Sequence, residues 1–136
     1  MNKSELVTLR AAEKEDLNFI MATWLRGMYY GESWLSGMKK QDFMKHYHSI
    51  IEITLQNPNT RVLVACLKED PSVILGYSVL SPLSKAVHWV FVKKSWRSIG
   101  LARDLVPGDF NAATNLTKVG AAIVKKKEWA FNPFLP

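Results

Sequence analysis

Three β-rich runs follow one another closely in the middle of the chain, and they limit the fold more than any other sequence feature. Each run is rich in β-branched and aromatic residues, which favour strands. Parallel strands need a crossover of about a dozen residues or more, but only short proline-containing turns separate these runs. The sequence therefore predicts an antiparallel meander of three strands, at Arg61–Leu67, Val73–Leu80 and Ala86–Val92.

Helical periodicity precedes these strands. A short opening strand is predicted at Leu6–Arg10, and the acidic cluster at 13–16 suits the first turn of a helix. The first helix then presents an apolar face made of Leu17, Ile20, Met21, Trp24 and Met28. A second helix runs from about Lys40 to just before Pro58, with Phe43, Tyr47, Ile50, Ile51 and Thr54 on one side.

Length and composition favour one globular domain over residues 1–136. A chain of this size buries a core without staples, and its 48% hydrophobic and 22% charged residues are near globular averages. We expect a cytoplasmic protein, because the sequence shows no signal peptide and no apolar run of membrane-spanning length. The single cysteine, Cys66, excludes an internal disulfide and is predicted to be buried, and no metal site is expected.

The positive charge of the chain is concentrated next to a glycine. The formal net charge is +6, and between residues 93 and 103 there are four cations and no acid. At Gly100 a basic turn gives way to a predicted helix, from about Ile99 to Val106. Unpaired backbone N–H groups at the start of a helix bind anions. We therefore predict that Arg97–Ala102 form a site for a pyrophosphate.

This stretch resembles the signature of the GNAT N-acetyltransferase superfamily. The family loop, Gln/Arg-x-x-Gly-x-Gly/Ala after the fourth strand, is matched by Arg97-Ser98-Ile99-Gly100-Leu101-Ala102, and Phe91-Val92 match the strand end before it. The resemblance extends in order over residues 5–106. It implies an α/β (α+β) fold, with a mixed, mostly antiparallel central sheet flanked by helices on both faces.

The resemblance also implies acetyl-CoA as cofactor and transfer of its acetyl group to an amine of a small molecule or protein. Family members hold the cofactor on the loop amides and the end of the fourth strand. The corresponding residues here are Phe91, Val92, Arg97, Ser98, Ile99, Gly100, Leu101, Ala102 and Arg103.

His88 is the best candidate for the general base. It precedes Val92 by four residues, so strand alternation places both side chains on one face, and its titration range suits proton transfer. It also matches a histidine of the arylalkylamine N-acetyltransferases, although a hydrogen-bonded core histidine fits the same position. Tyr29 or Tyr30 is the candidate proton donor to the thiolate, while Glu32 and Trp34, in the loop between the helices, are candidate acceptor contacts.

The chain departs from the family pattern in its last quarter. Pro107-Gly108 cuts the loop helix short, and no tyrosine follows Tyr77, where members often carry a catalytic one. The short length and the ending at 132–134 resemble small phage-borne members. The alternative function is an inactive binding module for a protein or nucleic acid, with Trp96 among the cations as its stacking residue. The sequence does not decide whether the chain forms a homodimer.

Overall fold

A computed structural model describes residues 3–31, 37–97, 99–115 and 125–132 of the chain. Its helices are α1 (Lys3–Leu6), α2 (Leu17–Gly31), α3 (Lys40–Gln56) and α4 (Leu101–Leu105). Its strands are β1 (Val7–Ala11), β2 (Arg61–Leu67), β3 (Ile74–Ser81), β4 (Ala86–Val92), β5 (Ala112–Ala113) and β6 (Ala130–Phe131). Within those ranges, no helix has both the length and the apolar character needed to cross a membrane.

The strands form one six-stranded sheet in the order β1 to β6. β1, β2, β3 and β4 pair antiparallel with their neighbours, while β5 runs parallel to β4 and β6 runs parallel to β5. The predicted meander is confirmed, and β1 extends it by one strand. The sheet is therefore mixed and mostly antiparallel.

Helices cover both faces of this sheet, as predicted. On one face, α2 and α3 pack against β2, β3 and β4; this α2/α3 core includes Ile20, Trp24, Met28, Phe43, Ile51, Val64, Tyr77 and Val79. On the other face, the short α4 packs through Leu101 and Leu105 against Ala65, Leu75 and Val92. β3 lies between the two layers, and all eight of its residues are buried.

The predicted element boundaries are confirmed most closely in the middle of the chain. β2, β4 and α3 have the predicted limits, whereas β1 and β3 are each shifted by one residue. The prediction for α4 is wrong at both ends, since the helix covers only Leu101–Leu105. Gly100 adopts a left-handed conformation immediately before it, which a residue inside a right-handed helix cannot do.

Two residues predicted on the packed helix faces are instead exposed. Leu17 is the first residue of α2 and is 39% exposed, because the core contacts begin farther along the helix. Ile50 is 42% exposed while its neighbour Ile51 is 1% exposed. Successive helical residues point about 100° apart, so both of these isoleucines cannot face the sheet equally.

The C-terminal part contains two strands that the sequence did not predict, β5 and β6. From the sequence we expect Leu116–Val119 and Gly120–Val124 each to form a strand or a helix, and these segments, like Phe134, lie outside the described residues. From Trp129, Phe131 and Phe134 we expect the last residues to dock on the body of the domain. Trp129 does pack against the cluster of Leu80, Val87 and Phe110. Phe131, in β6, is largely exposed.

An ion pair joins β1, the single 3₁₀ turn that precedes α2, and the turn before β3. The Arg10 guanidinium donates to both carboxylate oxygens of Asp16, at 2.6 and 3.0 Å, and to the Pro71 carbonyl at 2.9 Å. Asp16 is buried, and it also accepts the Glu13 backbone N–H at 2.7 Å. The Arg10 hydrogen bonds hold the pKa of Asp16 below its ordinary value against the opposing effect of burial. Asp16 is therefore ionised throughout the neutral range.

Tyr77 fastens α2 to the centre of the sheet. Its side chain is buried in β3, and its hydroxyl donates to the Ile20 carbonyl at 3.1 Å and lies 2.7 Å from the Thr23 hydroxyl. Burial raises the pKa of Tyr77. The phenol therefore remains protonated and serves as a fixed donor between helix and sheet.

We expect Asp16→Asn to lower the free energy of unfolding by about 1–3 kcal/mol at pH 7, since it removes charge-assisted hydrogen bonds. Because the folded-state pKa of Asp16 is depressed, its contribution is complete above the ordinary carboxyl pKa of 3.8 and disappears as pH falls through the lower folded value. Urea unfolding at pH 7 and pH 3 measures both effects.

The matched control for Asp16 is Glu15→Gln, which removes an exposed carboxylate from the same turn. Its effect should stay within about 0.5 kcal/mol. Equal losses in the two variants would show that the Arg10 contact contributes nothing specific.

Candidate active site

The loop after β4 is shaped by Gly100. A single 3₁₀ turn at Lys94–Trp96 follows the strand, and Gly100, with φ 85° and ψ 14°, turns the backbone into α4. An L side chain is strained at this φ, so glycine is needed for the geometry of the turn. The predicted importance of Gly100 thus has a conformational basis.

Arg97 and Lys93 make contacts within the protein as well as carrying charge. The Arg97 Nε donates to the Val92 carbonyl at 2.9 Å, which ties the loop back to the end of β4. The Lys93 ammonium lies 5.6 Å from the centre of the Phe19 ring. Lys94 and Arg103 are exposed. The Lys93 side chain is thus directed to α2, while Lys94, Arg97 and Arg103 are exposed on the segment around Gly100.

The other predicted loop contacts are divided between solvent and core. Ile99 and Ala102 are exposed, whereas Leu101 is buried with the α4 layer, so only its backbone is free to meet a ligand. Ser98 lies outside the described residues. Ser78 donates to the Leu105 carbonyl at 2.7 Å, which fixes the far end of α4 on β3.

Backbone groups at the end of β4 point toward the edge that faces β5. The Lys93 N–H donates to the Leu75 carbonyl on β3, at 2.8 Å. Because hydrogen-bonding direction alternates along an antiparallel strand, Val90 and Val92 direct their backbone groups the opposite way. The Val92 carbonyl there accepts the Arg97 side chain.

β4 and β5 pair only over a short length. The last backbone bond between them in the described part of the chain is from the Thr114 N–H to the Val87 carbonyl, at 3.1 Å. At the next residue a side-chain hydrogen bond replaces the backbone one, since Asn115 Nδ2 donates to the His88 carbonyl at 2.8 Å. In the part of the chain that the structure describes, backbone pairing between these two strands therefore ends at Val87 and His88.

His88 occupies a β-bulge. Val79 pairs with Trp89 and Leu80 pairs with Val87, which leaves His88 as the extra residue on β4. Bulges interrupt the alternation of side chains and are frequent next to active sites. Because the bulge lies between Val87 and Trp89, simple alternation from Val92 does not determine the face on which the His88 side chain lies.

The His88 ring is buried and held through one nitrogen. The residue is 7% exposed, and its Nδ1 lies 2.7 Å from the Thr114 hydroxyl. Its Nε2 is buried, with no hydrogen-bond partner among the described residues. Burial lowers the pKa of His88. The ring is therefore neutral at pH 7, as a general base requires.

The two candidate tyrosines differ in their surroundings. Tyr29 is buried against Phe43 and donates to the Met38 carbonyl at 3.3 Å. Tyr30 is mostly exposed, and its hydroxyl accepts from Lys40 at 3.4 Å. Their catalytic roles remain predictions. Glu32 and Trp34, the predicted acceptor contacts, lie outside the described residues.

Sequence reasoning missed Thr114 and Asn115, the two residues that contact His88 from β5. Neither belongs to the family motif, and the strand that precedes them is two residues long. Trp96, proposed for nucleic-acid stacking, packs partly against the α4 layer instead of standing clear of the surface. That contact leaves less of its ring available to stack on a base.

Sequence comparison matches the chain to no family model and to no curated protein. Solved structures do match its fold. A protein of Pyrococcus furiosus described as an acetyl transferase gives a TM-score of 0.59 at 14% identity, over 90% of this chain and 77% of that one. A GNAT-family acetyltransferase structure from Staphylococcus aureus gives 0.52 at 14% identity, over 88% and 90%.

A third match carries a bound cofactor. The PaiA N-acetyltransferase of Thermoplasma acidophilum, in complex with coenzyme A, gives a TM-score of 0.51 at 13% identity, over 90% of this chain and 74% of that one. The chain has the GNAT acetyltransferase fold. The fold that the Gly100 motif implied is thus confirmed. In this GNAT fold, strand pairing among the described residues ends at His88 on β4, and the Gly100 turn follows in the loop after that strand.

We expect Gly100→Ala to destabilise the protein by about 1 kcal/mol, since alanine is strained at a φ of 85°. Gly108→Ala is the control, because a Cβ there meets no atom within 4 Å and the backbone needs no positive φ. The midpoints of urea unfolding compare the two. Equal midpoints would contradict the conformational role of Gly100.

Proposed function

We propose that the protein transfers an acetyl group from acetyl-CoA to the amine of an acceptor. The observation that carries the proposal is the end of β4–β5 pairing at His88, beside a buried neutral imidazole. Among the described residues no strand pairs with β4 beyond His88 on that side, so its backbone edge and the nearby imidazole can serve a cofactor and an amine at the same place. The bound coenzyme A in a protein of the same fold supports the choice of donor.

The cofactor is proposed to lie along β4 and its loop. The Val90 backbone groups and the Val92 N–H on that edge suit the amides of the pantetheine arm, while the Val92 carbonyl is already bonded to Arg97. The pyrophosphate then reaches the Gly100 turn, where Lys94, Arg97 and Arg103 supply positive charge. Unpaired amides and cations together stabilise a phosphate group, and their attraction is screened by salt when they are exposed.

His88 Nε2 is proposed to take the proton of the acceptor. The amine nitrogen attacks the thioester carbonyl carbon, so a C–N bond forms and the C–S bond breaks. The amine gives one proton to Nε2, and the departing thiolate gains one from water or from a tyrosine such as Tyr29 or Tyr30. Burial of His88 keeps Nε2 free to accept at neutral pH.

We expect acetyl-CoA to raise the melting temperature of the protein, because a ligand that binds only the folded state stabilises it. Arg103→Gln should weaken the affinity roughly tenfold, which equals about 1.4 kcal/mol for a cofactor phosphate contact. Lys126→Gln removes the same charge from an exposed position outside residues 93–103 and should leave the affinity unchanged. Titration calorimetry measures both.

Two results would count against this cofactor site. Saturating acetyl-CoA that leaves the melting temperature unchanged would remove the donor from the proposal. Equal losses of affinity in Arg103→Gln and Lys126→Gln would show that net charge matters and the loop does not.

We expect His88→Ala to lower kcat by roughly 10²–10⁴, the usual contribution of a general base. The exposed His46 is the control, and His46→Ala should keep full activity. Since burial lowers the pKa of His88, wild-type activity should fall with decreasing pH only below the ordinary histidine value of 6.5. A stable and fully active His88→Ala variant would exclude His88 as the base.

A further inference from the structure

We propose that Thr114 is a positioning residue: its hydroxyl binds His88 Nδ1 and so leaves Nε2 as the reactive nitrogen. This inference rests on the proposed function, in which His88 is the base. The two residues are 26 positions apart in sequence, yet the Thr114 hydroxyl lies 2.7 Å from His88 Nδ1. Both are 7% exposed, so water does not compete readily for this contact. Nδ1 is thus occupied, and Nε2 is the nitrogen left for chemistry.

The position of the hydroxyl is fixed by hydrogen bonds of the Thr114 backbone and of the Asn115 side chain. Its own N–H bonds to the Val87 carbonyl, one residue before the bulge. The next residue, Asn115, donates through Nδ2 to the His88 carbonyl at 2.8 Å and to the Thr114 hydroxyl at 3.5 Å. These contacts join the strand position of His88 to that of its partner, so the ring and the hydroxyl cannot move independently.

The proton of neutral His88 is assigned to Nδ1, which donates it to the Thr114 oxygen. This tautomer leaves a lone pair on Nε2, which is what a general base needs. When Nε2 takes the proton of the amine, both ring nitrogens become donors. The Thr114 oxygen is then already the acceptor for Nδ1, and no hydroxyl has to rotate during the proton transfer. Fixing the tautomer of a catalytic histidine through its other nitrogen has a large effect on rate in other enzymes.

Replacing Thr114 with valine and with serine separates positioning from packing. Thr114→Val keeps the branched shape and removes the hydroxyl, while Thr114→Ser keeps the hydroxyl and removes a methyl group. We expect Thr114→Val to lower kcat at least tenfold with little change in the KM for acetyl-CoA. Thr114→Ser should recover activity to within a few-fold of wild type, because it keeps the hydroxyl.

Nitrogen NMR of histidine-labelled protein reads the tautomer directly, with the His88 signals assigned by their loss in His88→Gln. We expect wild type and Thr114→Ser to show a protonated Nδ1 and an unprotonated Nε2 at neutral pH. Thr114→Val should show a mixture of tautomers or the opposite one. If Thr114→Val fails to fold, the wild-type and serine spectra still decide the assignment.

Three results would overturn the inference. They are a wild-type spectrum with the proton on Nε2, an unchanged tautomer in folded Thr114→Val, and full kcat in that variant. Failure of the proposed function is distinguishable, because it appears as absence of acetylated product from the wild type over a panel of amines. The spectra test the hydrogen bond independently of that outcome.

Discussion

The burial of β3 on both faces is the constraint on which the rest of the structure depends. All eight of its residues are buried, so each face must be covered by a helical layer. Its polar side chains then need partners inside the protein, since an unpaired buried polar group costs about 1–3 kcal/mol. Tyr77 finds its partners on α2 and Ser78 finds its partner on α4. The same strand thus holds the two helical layers in place through hydrogen bonds as well as apolar contacts.

The sequence predicts the parts of the fold whose signals are local. β2, β4 and α3 are long, periodic and bounded by turn residues, and their limits are predicted correctly. The turn at Gly100 is equally predictable from the sequence, because a left-handed backbone conformation before a helix favours glycine. β5 and β6 are two residues long, which is too short to show an alternation of polar and apolar residues. Their strand conformation depends on pairing with β4 and with each other.

The candidate site is less predictable than the fold because its decisive features involve strand register. The bulge at His88 arises from how β3 and β4 pair, and it cannot be predicted from the residue pattern of either strand alone. For the same reason, Thr114 and Asn115 become neighbours of His88 only when β5 adds beside β4. The Gly100 motif predicts the turn that precedes α4, whereas the surroundings of the imidazole depend on how the strands pair.

The bulge has a consequence for insertions and deletions in β4. Val87 and Val90 both pack toward Leu63, Leu80 and Phe110 although three positions separate them, so His88 is one residue more than regular alternation needs. A one-residue slip normally sends every later side chain to the opposite face. At His88, deletion would instead restore alternation and keep the inward pattern of the strand. Deletion in the regular part of β4, at Val90 or Phe91, would reverse that pattern for the residues on one side of it. The candidate base therefore occupies a position that regular alternation of β4 does not require.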